Sequence, residues 1–240
     1  MTIRNEIKSV LFDLDGTLLP MDQSIFLKEY FKRLAKFVAP YGITPENLAE
    51  ATMYGTEAMI RNDGNKLNKE IFWDNFFERI GQRNEGLIAV TDRFYCNDFK
   101  EIKDYMGKNP RAKDALRAAH SNGRKVVLAT NPVFPMSAQL ERISWIGLDE
   151  NDFDLITSYD NSTFCKPSPE YYREICQKIG VPAENCLMVG NDEREDMKAA
   201  SEAGMSCFLV TDCRIMAKNF VWTGERGSFE QMVYMLERLL

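Results

Sequence analysis

Two carboxylates one residue apart, in the run Asp13-Leu14-Asp15-Gly16-Thr17, stand directly after the apolar segment SVLF at Ser9–Phe12. A carboxylate can attack as a nucleophile or move a proton, and two in one small pocket repel unless a cation or a proton offsets them. Groups that could meet or share that charge recur just past three other apolar segments. Thr130-Asn131-Pro132 follows KVVLA at 125–129, and Lys166-Pro167-Ser168-Pro169 comes after FDLIT at 153–157 and a loop. Gly190-Asn191-Asp192 follows CLMV at 186–189, with Asp196 four residues further on.

Each piece also has an ordinary structural reading. Asp15-Gly16 suits a turn, and Thr130-Asn131 suits the stop of a strand. Ser168-Pro169 suits a helix N-cap and first residue, leaving Lys166 as surface charge. Asp192, Glu193, Glu195 and Asp196 would complement a helix dipole. Taken singly the turn at Asp15-Gly16 is as good a reading as chemistry and the other three structural readings are favoured, but four such groups in this order, all at strand ends, are not expected by chance.

The elements that must position these groups are legible as an alternation. Near-continuous apolar runs, with SCFLV at Ser206–Val210 as the last, predict parallel strands covered on both faces. Helices are expected at 111–122, 135–145, 169–179 and 193–202, followed by Gly123, Gly147, Gly180 and Gly204 at the C-cap positions where glycine is favoured. A closing helix is expected over 229–240. The fold class is therefore α/β, a doubly wound parallel sheet. Between the first strand and the second, which starts at Lys125, lie amphipathic stretches near 24–39, 45–62, 68–80 and 88–105. That gap far exceeds a crossover of about a dozen residues. It predicts an inserted all-helical cap over 21–105 on a core made of 1–20 and 106–240.

Hydrophobic residues at 45% and charged residues at 28% suit a globular chain with a sizeable core. The net charge of -6, from 30 Lys+Arg and 36 Asp+Glu, argues against nucleic acid or an anionic membrane as partner. No segment approaches the roughly 20 apolar residues of a membrane span, and the polar start, Met1 to Lys8, does not read as a secretion signal. The six cysteines, Cys96, Cys165, Cys176, Cys186, Cys207 and Cys213, form no CxxC pair. Reduced thiols in a cytoplasmic protein are expected.

On its four strand-end motifs the chain resembles the haloacid dehalogenase superfamily, in particular its phosphatases with a helical cap inserted after the first motif. The resemblance covers the whole chain through DxDGT at 13–17, Thr130, Lys166 and GNDxxxD at 190–196. It implies a Rossmann-like, five-stranded parallel sheet. It implies Asp13 as the nucleophile that becomes an aspartyl-phosphate and Asp15 as acid and then base. Thr130, Asn131 and Lys166 would bind the phosphoryl group. Mg²⁺ would be held by Asp13, the Asp15 backbone carbonyl and Asp192, with Asp196 holding Lys166 or a metal-bound water. The substrate implied is a small phosphorylated metabolite that is hydrolysed as a phosphomonoester. A sugar-phosphate mutase shares the same core and cap, and a non-catalytic phospholigand sensor would not need both Asp13 and Asp15. Asp15 fills the place where the dehalogenases lack an acid, so dehalogenation is not expected, and Asn191 departs from the acid that many members carry.

In the insert, the polar loop Arg61-Asn62-Asp63-Gly64-Asn65-Lys66 is expected to face substrate through Asn62, Asn65 and Lys66. Met53, Tyr54, Met59, Phe72, Trp73, Phe76 and Phe77 could line a pocket, but their helical spacing favours a packed core. The sole histidine, His120, sits in the 111–122 helix away from every strand end and is read as structural.

Overall fold

Successive residues of a strand face opposite sides of a sheet, and the SVLF segment has no exposed side to offer. The computed structural model describes residues 6–239. Its strands are β1 (Ser9–Phe12), β2 (Lys125–Leu128), β3 (Leu155–Ile156), β4 (Cys186–Gly190), β5 (Ser206–Val210) and β6 (Arg226–Gly227). All pair in parallel, in the order β3-β2-β1-β4-β5-β6. The sheet thus has six strands where five were expected. The sixth is only two residues long and carries no apolar run that could announce it.

The chain steps outward from β1 to β3, returns to β4 beside β1, and steps outward the other way. At such a reversal the loops leaving neighbouring strands part and open a crevice at their carboxyl ends. Register puts Phe12 level with Leu128 and Val189, so the residues leaving β1, β2 and β4 emerge side by side.

Four helices open the interval between β1 and β2, ahead of a fifth next to β2: α1 (Gln23–Val38), α2 (Pro45–Ile60), α3 (Asn68–Ile80) and α4 (Glu85–Asn97). Local chemistry sets their starts. The Asp22 carboxylate accepts the N–H groups of Ser24 and Ile25, and the Thr44 hydroxyl accepts that of Asn47 with Pro45 beginning the helix. The Asn84 side chain accepts the Gly86 N–H, so α4 begins three residues before the expected 88. It gives way to a 3₁₀ stretch at Phe99–Tyr105.

Helices α5 (Ala112–His120), α6 (Met136–Ser144) and α9 (Phe229–Leu236) contribute to one apolar cluster. The cluster contains Val10, Phe12, Val126 and Leu128 from one sheet face and continues into the apolar sides of α1, α3 and α4. Helix α7 (Pro169–Ile179) and α8 (Ala199–Glu202) cover the opposite face at Leu11, Val127 and Met188. This alternation by one residue makes the sheet doubly wound, and each fully buried Val, Leu or Phe contributes roughly 1.5–3 kcal/mol. Of the expected glycines Gly180 is itself the C-cap of its helix (φ 65°), while Gly123, Gly147 and Gly204 take left-handed φ one to two residues beyond the caps at Ser121, Trp145 and Ala203. All six cysteines are unpaired, Cys96 exposed and Cys165, Cys186 and Cys207 buried. Among the described residues no helix is long and apolar enough to cross a membrane. His120 is exposed, its Nε2 3.0 Å from the Asp152 carbonyl.

Candidate active site

Asp13 is the first residue past β1, and its N–H donates to the Val189 carbonyl of β4, which anchors it at the crevice. The Lys166 ammonium donates to Asp13 Oδ1 at 2.7 Å and to Asp196 Oδ1 at 2.6 Å. Lys166 and Asp196 are each 1% exposed. Burial alone would depress this lysine, but the two carboxylates hold it well above its ordinary value, so it stays charged. The other Asp13 oxygen, Oδ2, accepts from the Thr17 hydroxyl at 3.3 Å. Burial pushes the Asp13 carboxyl up to about 8; Lys166 opposes this, and Asp196 and Asp15 add to it.

Two glycines permit the arrangement. Gly16 has φ 84°, and a Cβ there would strike the Asn191 side chain, which donates to the Cys213 carbonyl. A Cβ on Gly190 would strike the Asp196 carboxylate, which folds back so that Oδ2 accepts the N–H groups of Asn191 (3.0 Å) and Asp192 (2.9 Å). Asp192 Oδ1 caps the next turn by accepting from the Arg194 and Glu195 N–H groups at 2.7 and 2.8 Å. That turn, Glu193–Lys198, is π-helical, with both the Asp196 and Met197 N–H groups reaching the Asp192 carbonyl.

Asp15 meets a residue that the sequence did not announce. Arg142, from α6 and fully buried, places Nη1 2.8 and 2.6 Å from the two Asp15 carboxylate oxygens. Its guanidinium lies over the Phe134 ring (4.9 Å) and near that of Phe26 (5.9 Å), while Nη2 donates to Gln139. Glu195 was read as a dipole complement, yet it lines the pocket, accepts from the Asn131 amide at 3.3 Å, and is pushed up to about 7 chiefly by burial. Its place three residues after Asp192 was the available signal.

These groups enclose a cavity of about 230 Å³ at the carboxyl ends of β1, β2 and β4. Asp13, Asp15, Thr130, Asn131, Asp192 and Asp196 all line it, and Lys166 reaches it through Asp13. Thr130 is held by hydroxyls of Thr157 and Tyr171, both of which donate to its carbonyl. Asn62, Asn65 and Lys66 are not brought to the cavity. Asn62 turns its amide onto the Lys66 carbonyl and Asn68, and Lys66 pairs with Asp74. The loop spends its polar groups on itself and on α3.

Five acids line the cavity: Asp13, Asp15, Asp192, Glu195 and Asp196. The cations bonded to them are Lys166 and Arg142. Among the described residues no three His, Cys, Asp or Glu side chains close into a complete metal cage. An octahedral cation that keeps most of its waters needs only one or two carboxylates. Asp13 and Asp192, both lining the cavity, could supply these, and the five acids there outnumber the two cations bonded to them. The residues fit such a cation.

Against this geometry the comparisons with known proteins agree. Residues 7–204 match the family of haloacid dehalogenase-like hydrolases. The chain is 25% identical over 206 residues to a pyrophosphatase of Halalkalibacterium halodurans, covering 85% of this chain and 84% of that one. It is 28% identical over 211 residues to a glyceraldehyde 3-phosphate phosphatase of Methanothermobacter thermautotrophicus, covering 85% of each. A phosphatase structure from Thermococcus onnurineus superposes with a TM-score of 0.59 at 18% identity, over 96% of this chain and 98% of that one. The chain belongs to the haloacid dehalogenase-like hydrolases. Within them it is a hydrolase of the phosphatase kind.

Proposed function

We propose that the chain hydrolyses a small phosphomonoester through a phosphoryl-enzyme at Asp13, with Mg²⁺ as cofactor. Asp13 Oδ attacks phosphorus, the bond to the leaving oxygen breaks, and Asp15 gives that oxygen its proton. Asp15 then takes a proton from water as the water oxygen attacks phosphorus and the bond to Asp13 breaks, which releases phosphate. Lys166 neutralises the oxyanions and aligns Asp13, and the Thr130 hydroxyl and Asn131 N–H donate to the same oxygens. Mg²⁺, held by Asp13, Asp192 and the Asp15 carbonyl, supplies positive charge for the phosphoryl oxygens. Asp196 fixes Lys166. Residues 21–105 act as a cap over the core formed by 1–20 and 106–240.

The observation that carries this reading is the chain Asp13–Lys166–Asp196 at 2.7 and 2.6 Å, buried at the sheet's reversal beside Asp15. An ammonium so placed aligns one specific carboxylate and leaves it facing the cavity. The test is Asp13→Asn with p-nitrophenyl phosphate as substrate. Turnover should fall at least about 10³-fold while the thermal midpoint stays near that of the wild type. A folded variant that keeps a tenth or more of the activity overturns covalent catalysis at this residue.

A further inference from the structure

Beside the acidic cavity lies a second one of about 240 Å³, lined by α1 to α4 of the insert, by Val133 and Phe134 after β2 and by Tyr159 after β3, and open to solvent at Leu27 and Met53. Leu27, Val133 and Phe134 line both, so the two cavities meet along one apolar seam. Among the described residues no Asp, Glu, Lys, Arg or His lines the second. Part of the hydrogen-bonding capacity of its walls is spent within the walls, leaving the Thr52 and Thr56 hydroxyls and the Trp73 indole as its few polar groups. The Tyr30 and Tyr95 hydroxyls bond each other at 2.7 Å, and the Thr91 hydroxyl lies 2.8 Å from each of two α4 carbonyls, those of Leu87 and Ile88.

Protein interiors keep few voids larger than a water molecule. Apolar cavities of about 150 Å³ stay dry and take up benzene, so this one has room for a larger group. A charged group entering it would give up water and meet no opposite charge, and a polyhydroxylated one would find too few partners for its hydroxyls. An apolar group would lose nothing and would shed its ordered hydration.

We propose that this chamber binds the leaving group of the substrate, and that the substrate is a phosphomonoester of an uncharged, apolar alcohol. The inference rests on the phosphatase reading above. The phosphoryl end sits at Asp13, the ester oxygen beside Asp15, and the hydrocarbon passes the Leu27–Phe134 seam. At about 30 Å³ per water-sized group, the chamber accepts roughly eight carbon-sized units, a ring or a short chain. Polyhydroxylated and carboxylated phosphates are poor substrates by the same reasoning.

The test is a series of n-alkyl phosphates from methyl to decyl, whose leaving alcohols differ little in acidity. For the wild type, kcat/KM rises about fourfold per methylene, the fold-change to which about 0.8 kcal/mol per CH₂ converts, and levels off near eight carbons. Thr52→Phe and Thr56→Phe, each filling the chamber from α2, should collapse the ratio of octyl to methyl phosphate. A wild-type series that is flat or falls with length overturns the proposal. The matching n-alkylphosphonates, titrated by calorimetry with Mg²⁺ present, separate the two readings. Binding that tightens with chain length while no phosphate is hydrolysed would remove the phosphatase reading and uphold the chamber. Hydrolysis without any length dependence of rate or binding would do the reverse.

Discussion

One nitrogen of Arg142 sits 2.8 and 2.6 Å from the two carboxylate oxygens of Asp15, across 127 residues of chain. The guanidinium is fully buried against Phe134 and Phe26, so it cannot follow Asp15 far if that side chain moves. It therefore fixes where the Asp15 carboxyl points. Arg142 acts through Asp15 and is a positioning residue.

Arg142→Met removes that restraint while keeping an apolar side chain of similar length under Phe134. General acid catalysis contributes about 10²–10⁴-fold, and it matters most when the leaving group is a poor one. The variant should lose roughly 10²-fold in kcat/KM on alkyl phosphates. On p-nitrophenyl phosphate, which departs as a stable phenolate without a proton, the loss should stay below about tenfold. Equal losses on both substrates would mean that Arg142 supports the fold of the site and not the proton transfer.

The proposed mechanism calls for a metal because acids outnumber cations around the cavity. Chelation should abolish turnover and Mg²⁺ should restore it. Asp192→Asn keeps an N-cap acceptor for Arg194 and Glu195 but removes a charge, so the Mg²⁺ concentration for half-maximal rate should rise at least about tenfold. Both oxygens of Asp196 are already engaged, by Lys166 and by two backbone N–H groups. Asp196→Asn should lower kcat at saturating Mg²⁺ and move the Mg²⁺ requirement little. The opposite pattern would exchange the roles of the two acids.

Much of this arrangement was legible because it is written in local patterns. SVLF, CLMV and the VVL of KVVLA became parallel strands buried on both faces, and Ser168-Pro169 begins α7 at the expected residue. The strand-end motifs converge because parallel strands carry their ends to one edge. What was not legible depends on distant partners. Nothing in the α6 sequence distinguishes Arg142 from a surface arginine, since its partner lies far away in the chain. Asn62 and Lys66 looked exposed and available, but their bonds to neighbouring groups were decided by the turn between α2 and α3. Phe72, Trp73 and Phe76 do belong to the apolar interior of the insert, and only the packing of four helices shows that this interior is hollow.

The start of α1 gives a pH-dependent prediction. Asp22 is held below its ordinary value of 3.8, first by the Ser24 hydroxyl and then by the Ile25 and Ser24 N–H groups. A depressed carboxylate stabilises the fold above its unfolded value and loses that contribution as pH falls through the folded value. Asp22→Ala should lower the urea midpoint at pH 7, and the gap to wild type should close as the pH drops below 3.8 toward 2. A gap that is unchanged at pH 2 would show that the cap works without its charge. The same helix carries Phe26 and Leu27 into the cavity wall, so fraying at Asp22 should also raise KM.

The C-terminal part of the chain gives the site one of its walls. Ile215 lines the acidic cavity, and its backbone is tied to the π-helical turn, N–H to the Asn191 carbonyl at 2.9 Å and carbonyl to the Glu193 N–H at 3.0 Å. The Glu193 carboxylate, 1% exposed, clasps the same segment further along. It accepts from Arg214 at 2.6 Å, the Ala217 N–H at 3.1 Å and the Trp222 N–H at 3.2 Å. One buried carboxylate therefore closes three contacts across the segment from Arg214 to Trp222, and Trp222 joins the apolar cluster under β5. Glu193→Gln keeps an acceptor but loses the charge and turns an amide toward Arg214. Breaking a charge-assisted, buried set of this kind costs about 2–4 kcal/mol. The variant should unfold at lower urea by a corresponding amount. Under native conditions trypsin should cut it faster at Arg214 or Lys218, because the segment opens locally before the whole chain does. With Ile215 released, KM should rise while kcat, set at Asp13 and Asp15, changes less. Unchanged urea midpoint and cleavage rate would show that the segment is held by Trp222 and the backbone pairing alone.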